Sequence, residues 1–410
     1  MADPSSLKLA TRDSQLETVR RRQSGFPRII IKTPNWIGDA VMAMPFIGAI
    51  RSHWPRAHIA VMTRPRIRPV AERTPGVDAV VDETTRFPLR LAKIFRAGEY
   101  DIAFTLASSF SVVVAFRLAR IPVRIGFSGG GRAPFLTAAV RPPARSVHQV
   151  EHYLALAHAA GVATHGDQAP AGLAAPKPSS ALAIGKLCLP RELRSPPMWQ
   201  ILPDDRREAE EFLRSSGVPA GSSLFALAPG ASFGPAKRWF RAGWAELGDR
   251  LCLNYDGSGR PSRPCRRIRP GAALAGPRIV IVGGSEEREA ALSIAALMAR
   301  QPVLAVGALS LGGTAALLAG CNGFVSNDSG LMHVGAAVGT PTLGLFGSSN
   351  PDWTGPVGVR VGSVWGHVPC SPCYRRTCLP GRRYACLKAI TVDRVMASLS
   401  SPALRSSRRP

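Results

Sequence analysis

Lysine is scarce in this chain. Of 52 basic residues only seven are lysine, and the 27 acidic residues leave a formal net charge of +25. Such a charge invites a polyanion as partner. Aromatic residues, however, make up only 7% of the chain, and the arginines do not alternate with them along a groove. Five arginines fall in the Gly/Pro-rich segment 254–271 and three in the last six residues, where they read as solvated insertions. No nucleic-acid partner is expected; attraction to an anionic membrane surface is a better use of the same charge.

Long apolar runs are missing too. Residues 1–28 have no apolar stretch of the kind a secretory signal needs, so 1–27 reads as a disordered extension. The uncharged region 301–327 is broken by five glycines, and it reads as two buried strands around a helix rather than a membrane span of ~20 apolar residues. Without an export signal, the eight cysteines are thiols, metal ligands or core residues, not disulfides.

What is present is a repeated alternation of short apolar runs with helical patterns. Strands are expected at 28–32, 57–63, 77–81 and 101–106, and helices at 39–54 and 148–160. After a Pro/Gly/Ala/Ser-rich linker at 166–203 the pattern restarts. Helices are expected at 204–216 and 239–252, with strands at 223–228, 278–282, 303–306, 323–326 and 342–346. With 410 residues this predicts an α/β protein of two Rossmann-like doubly wound domains, 28–165 and 204–400, with a tail at 401–410. Such domains hold ligands at the carboxyl ends of their strands, here in a cleft the two are expected to face.

Three strand-to-helix junctions carry chemistry. In Lys32-Thr-Pro-Asn-Trp-Ile-Gly-Asp39 the carboxylate of Asp39 opens a helix. It is either an N-cap or, kept ionised by the helix dipole, a proton acceptor. In Pro229-Gly-Ala-Ser-Phe-Gly-Pro-Ala-Lys-Arg-Trp239, small residues precede a Lys-Arg pair. That suits a diphosphate as well as a surface loop, but not a Walker loop, since no Ser or Thr follows Lys237. Between Arg300 and Asp352 the only formally charged side chain is Asp328. A lone carboxylate in such apolar surroundings is costly without donors or a ligand. N-capping remains open for Asp328, and a satisfied core imidazole for His333.

The blocks Pro34-Asn-Trp-Ile-Gly-Asp-Ala-Val-Met42, Pro229 to Trp239 and Asn327-Asp-Ser-Gly-Leu-Met-His-Val334 resemble the lipopolysaccharide heptosyltransferase II branch of glycosyltransferase family 9, and the similarity runs over about 28–399. The resemblance implies a GT-B fold and an inverting, metal-independent transfer of heptose from ADP-heptose to the lipid A-linked, heptosyl-Kdo inner core. It implies a cytoplasmic enzyme, peripheral to the inner membrane where its acceptor sits. Consistent with this, the chain has no Asp-x-Asp motif. By the same resemblance Asp39 is the catalytic base, and Lys237 holds the donor phosphates. Asp328, Ser329, Gly330, Leu331 and His333 meet nucleotide and heptose, Glu286 meets the ribose, and Arg124 and Arg132 face the acceptor. Glu286 is equally an acidic residue in a helix first turn, and the two arginines are equally solvated side chains.

The chain also departs from the pattern. It has Gly307-Ala-Leu-Ser-Leu311 where relatives have Gly-Arg/Lys-Thr-Ser-Leu, and Ala107-Ser-Ser-Phe110 where they have Pro-Asn-Ser-Phe. The Arg-rich insertion 254–276 is unusual. Cys370, Cys373, Cys378 and Cys386 lie within seventeen residues, so a structural zinc competes there with reduced thiols, and catalysis needs neither. Two other readings stay open: heptosyltransferase I or another family 9 enzyme with a different donor or acceptor, and a basic module that binds nucleic acid or membrane.

Overall fold

The computed structural model describes residues 25–144, 146–162, 198–255 and 276–405. The expected linker falls almost wholly outside these, as do most of the N-terminal extension, the Arg-rich insertion and half of the tail. The chain divides between Met198 and Trp199 into two units.

The first unit is built on a six-stranded sheet. Its strands are β1 (Arg28–Lys32), β2 (His58–Thr63), β3 (Ala79–Asp82), β4 (Ile102–Thr105), β5 (Val123–Phe127) and β6 (Ala138–Val140). Their spatial order is 3-2-1-4-5-6, and every pairing is parallel. The central strand explains itself: Ile29, Ile30 and Ile31 are fully buried, as a strand covered on both faces requires. One face packs Leu91, Phe95, Val112 and Phe116 over Ile30 and Ala103, with the Phe95 and Phe116 rings 4.8 Å apart.

The second unit repeats the plan with β7 (Leu224–Ala228), β8 (Arg278–Ile281), β9 (Val303–Leu304), β10 (Gly323–Asn327), β11 (Thr342–Phe346) and β12 (Val361–Trp365). The order is 12-11-10-7-8-9, again all parallel. In each unit the order reverses beside the first strand, between β1 and β4 and between β7 and β10. At such a switch point the connections leave in opposite directions and open a crevice at the strands' carboxyl ends. The core of this unit gathers Trp239, Trp244, Leu247, Ile281, Leu345 and Val395.

Two differences from the sequence reading have local causes. The helix expected over 39–54 is two, Ile37–Met42 and Met44–His53. Pro45 has no N–H to continue the first and suits the opening turn of the second. Strands β5, β6 and β12 were not expected: VRIGF, AAV and VGSVW carry Gly, Ala, Ser or a charge where an apolar run is the usual signal. The 301–327 region is β9, the helix Leu311–Ala319 and β10. No helix among the described residues is long and apolar enough to cross a membrane.

Candidate functional site

In the second unit, β7 and β10 run side by side, so the segments after them meet. Ser329 occupies the cap position of the helix Gly330–Ala337. Asp328 therefore stands one residue outside the cap, its N–H donating to the Leu345 carbonyl at 3.1 Å. Its buried carboxylate pairs with the Lys237 ammonium and accepts from the Ser349 hydroxyl, which comes from the turn after β11. Three strand ends thus converge on one oxygen.

Asn327 fixes the loop that brings Lys237 there. Its side-chain N–H donates to the Pro229 carbonyl at 2.6 Å, and its carbonyl accepts from the Trp239 N–H at 3.2 Å. One buried amide so pins both ends of 229–239. Within the loop, Lys237 lies 5.1 Å and the Arg376 guanidinium 5.8 Å from the Phe233 ring, and the Arg376 carbonyl accepts from the Ala236 N–H at 3.1 Å. Two cations therefore share one ring at the loop's open side.

The helix after Ser329 sits close to the sheet because it carries Gly335: a Cβ there would strike Phe324 of β10. That closeness buries His333. Burial pushes its imidazole down to about 4, Lys237 adds to the depression, and the Asp328 carboxylate opposes it. His333 is neutral at physiological pH.

The loop after β8 carries two carboxylates in different surroundings. Glu286 is exposed, whereas Glu287 is half-buried and accepts from the Gly284 N–H at 3.1 Å. Burial holds Glu287 above the usual carboxylate range, and its carboxyl fills the space a Cβ at Gly230 would need. Glu287 thus wedges the β8 loop against the Lys237 loop, while Glu286 stays available to a ligand. Gly307, at φ +70°, closes over Ser285, so the altered 307–311 segment borders the same crevice.

In the first unit, Asp39 is the third residue of the helix Ile37–Met42, whose cap is Trp36. Neither Asp39 nor Asp328 is an N-cap. Asp39 is half-buried. It lies near enough to Tyr153 to reinforce the upward push that burial gives that phenol. The loop leading to Asp39 is anchored from below by Lys32, which is fully buried at the end of β1. Its ammonium donates to the Thr33 carbonyl at 2.7 Å and the Asn35 side chain at 3.1 Å, and pairs with Glu83 at 3.5 Å.

The family model of glycosyltransferase family 9 (heptosyltransferase) matches residues 88–254 and 272–382, more than half of the chain. The chain belongs to glycosyltransferase family 9. It is 29% identical over 346 residues to lipopolysaccharide heptosyltransferase 2 of Salmonella typhimurium, covering 80% of this chain and 85% of that one. It is 36% identical to lipopolysaccharide heptosyltransferase 1 of Pseudomonas aeruginosa, but over only 35% of this chain and 34% of that one. Among solved structures it superposes on E. coli ADP-heptose LPS heptosyltransferase II with a TM-score of 0.70, at 25% identity and over 93% of this chain and 100% of that one. Those structures share the α/β GT-B fold seen here in the two parallel sheets. The protein is therefore a glycosyltransferase.

In this glycosyltransferase the two arginines differ. The Arg124 side chain is spent on the carbonyls of Phe135 at 2.8 Å, Ile121 at 2.5 Å and Pro122 at 3.2 Å. It so ties β5 to the short helical turn Ala133–Phe135. Arg132 is 8% exposed. It gives one N–H to the Ser128 carbonyl at 3.3 Å, and its Nε has no partner, a costly state that an anion would relieve.

Of the clustered thiols, Cys386 is buried, Cys370 and Cys378 half-buried and Cys373 exposed. Burial first, then the three neighbouring thiols, pushes the Cys386 thiol up. Cys378 accepts from the Tyr384 N–H at 3.3 Å. Among the described residues no three His, Cys, Asp or Glu side chains are arranged to hold a metal ion.

Sequence reasoning did not single out Asn327, Ser349, Arg376 or Glu287. Asn327 stood inside a quoted block and Glu287 next to Glu286, and their polarity at a strand end and a loop was the available signal. Ser349 and Arg376 gave none, because only the fold brings them to Lys237.

The neutral state of His333 has a measurable sign. An unfolded imidazole titrates near ~6.5 and the folded one at about 4. The stability that depends on neutral His333 is complete above pH ~6.5 and is lost as pH falls towards 4. Between pH 7 and 4.5 the loss is roughly 2 kcal/mol. Urea unfolding across that range should show a shallower pH dependence for His333→Asn than for the wild type; parallel curves would remove His333 as the cause.

Proposed function

We propose that this glycosyltransferase moves L-glycero-D-manno-heptose from ADP-heptose to the heptosyl-Kdo inner core of lipopolysaccharide, with inversion and without a metal ion. The observation that carries the proposal is the Lys237–Asp328 pair at the β7/β10 switch point, beside the helix that starts at Gly330. The names of the relatives supply the donor and acceptor.

The donor diphosphate takes Lys237 from Asp328, while Ser349 keeps its hydrogen bond to the carboxylate. Lys237 and the first N–H groups of the helix then face the phosphate that leaves, where negative charge grows in the transition state. These supply the positive charge a metal would otherwise bring, and Arg376 adds to it from the far side of Phe233. Glu286 is free for the ribose hydroxyls. Asp39 takes the proton of the acceptor hydroxyl as its oxygen bonds to the anomeric carbon, and the bond to the ADP phosphate breaks on the opposite face. Arg132, lacking a full set of acceptors, suits the carboxylate and phosphate of the inner core.

The same fold and base would serve the first-heptose enzyme. The match to the Pseudomonas aeruginosa protein covers about a third of the chain, against four fifths for the type 2 relative, and we prefer the latter.

A donor panel at fixed acceptor tests the reading. Turnover divided by KM should be highest for ADP-heptose, and preference for a UDP-sugar would overturn the assignment while leaving the fold intact. Asp39→Asn should retain donor affinity and lose ~100- to 10,000-fold in transfer; turnover near wild type would take Asp39 out of the role of base. Lys237→Ala should weaken ADP binding in calorimetry by roughly 1.5–3 kcal/mol, the worth of a charge-assisted hydrogen bond. An unchanged ADP affinity would mean that Lys237 serves only Asp328.

A further inference from the structure

The helix Pro88–Ala97 turns Leu91, Ala92 and Phe95 into the core of the first unit. Its leading end behaves differently. Phe87 is 67% and Leu89 70% exposed, the most exposed of the large apolar side chains described on this unit. Around them Arg86, Arg90, Lys93 and Arg96 are all exposed, and no acidic residue occurs between 84 and 98. The Arg90 guanidinium sits 5.5 Å from the Phe87 ring. The neighbouring helix Phe110–Leu118 ends beside Arg96, at the far end of this helix from Phe87, and carries Arg117 in its last turn, with Arg120 just beyond it, both exposed. Arg96 joins the two helices by donating to the Leu118 carbonyl at 2.7 Å. Among the described residues none of these six cations is in an ion pair with a carboxylate.

An apolar tip at the head of a stripe of unpaired cations has a definite complement. Six like charges without counter-ions repel one another, and an anionic surface relieves that repulsion. A polynucleotide would satisfy the charge but offers no apolar phase for Leu89 to enter. We propose that this face docks the protein on an anionic lipid bilayer: Phe87 and Leu89 enter the headgroup–acyl boundary, and Arg86, Arg90, Lys93, Arg96, Arg117 and Arg120 meet the lipid phosphates. The helix does not lie buried in the membrane, because its other apolar face is already spent on the protein core. This is reversible docking by a tip, of the kind that combines modest apolar insertion with polybasic attraction. It deepens the reading of a lipid-linked acceptor, yet vesicle binding is read without any transfer, so each can fail alone.

The test uses the full chain and sedimentation with two kinds of vesicle, phosphatidylcholine alone and phosphatidylcholine mixed with phosphatidylglycerol. Binding is expected to the mixed vesicles only and should weaken as salt is raised. Arg90→Gln with Lys93→Gln should weaken it about 30-fold, at ~1 kcal/mol for each basic residue near the surface. Phe87→Ser with Leu89→Ser should weaken it about tenfold or more, because less apolar surface enters the bilayer. ADP affinity should be unchanged in both variants, which shows that they are folded. Equal binding to both vesicles, or wild-type binding by both variants, would overturn the proposal. So would displacement of the protein from mixed vesicles by single-stranded DNA at equal phosphate concentration.

Discussion

The loops at the β7/β10 switch point of the second unit hang on the ion pair between Lys237 and Asp328. The two residues are far apart in sequence and meet only because β7 and β10 are neighbours in the sheet. A carboxylate as deeply buried as Asp328 needs a cation and hydrogen bonds to stay charged, and it receives them from the ends of two other strands. The cation in turn needs a loop that cannot wander, which is what Asn327 provides by holding Pro229 and Trp239 at once. Removing any of these partners leaves another buried polar group unsatisfied, so the site is coupled to the fold of its unit.

The first unit solves a related problem with a different pair. Lys32, sealed beneath the loop that carries Asp39, is balanced by Glu83, and Glu83 also draws in Arg64 at 3.3 Å. Burial pushes the Lys32 ammonium below its ordinary value, and Glu83 pulls it back. Lys32 closes the first strand of its unit, and Lys237 lies in the loop that follows the first strand of the other. The former faces inward and supports a loop; the latter ends half-exposed, where a substrate can reach it. Burial separates the two tasks.

Much of this was legible before any coordinates. The triple isoleucine of β1 and the apolar blocks of β7, β10 and β11 announce a parallel sheet, because strands covered on both faces cannot alternate. The isolation of Asp328 announced an unusual carboxylate, since chains rarely bury one without a purpose. The weak strands β5, β6 and β12 were hidden because neighbouring strands, more than their own composition, hold them in place. The split of the first helix was written in Pro45 but masked by the apolar residues on either side of it. That Glu287 packs against Gly230 while Glu286 stays exposed is a matter of packing that spacing alone does not reveal. Arg124 and Arg132 look alike as letters, and only the carbonyls around each show that one is a brace and the other is underused.

The Lys237–Asp328 pair and the neutral His333 beside it carry no net charge between them. On the proposed function, a donor would bind by taking over a lysine that already has a partner. Once the sugar has left, the displaced carboxylate still stands where Ser349 holds it, ready to reclaim the ammonium. On that reading Asp328 is a resident competitor for Lys237, which would limit how long the spent nucleotide stays and link the strength of donor capture to the speed of turnover.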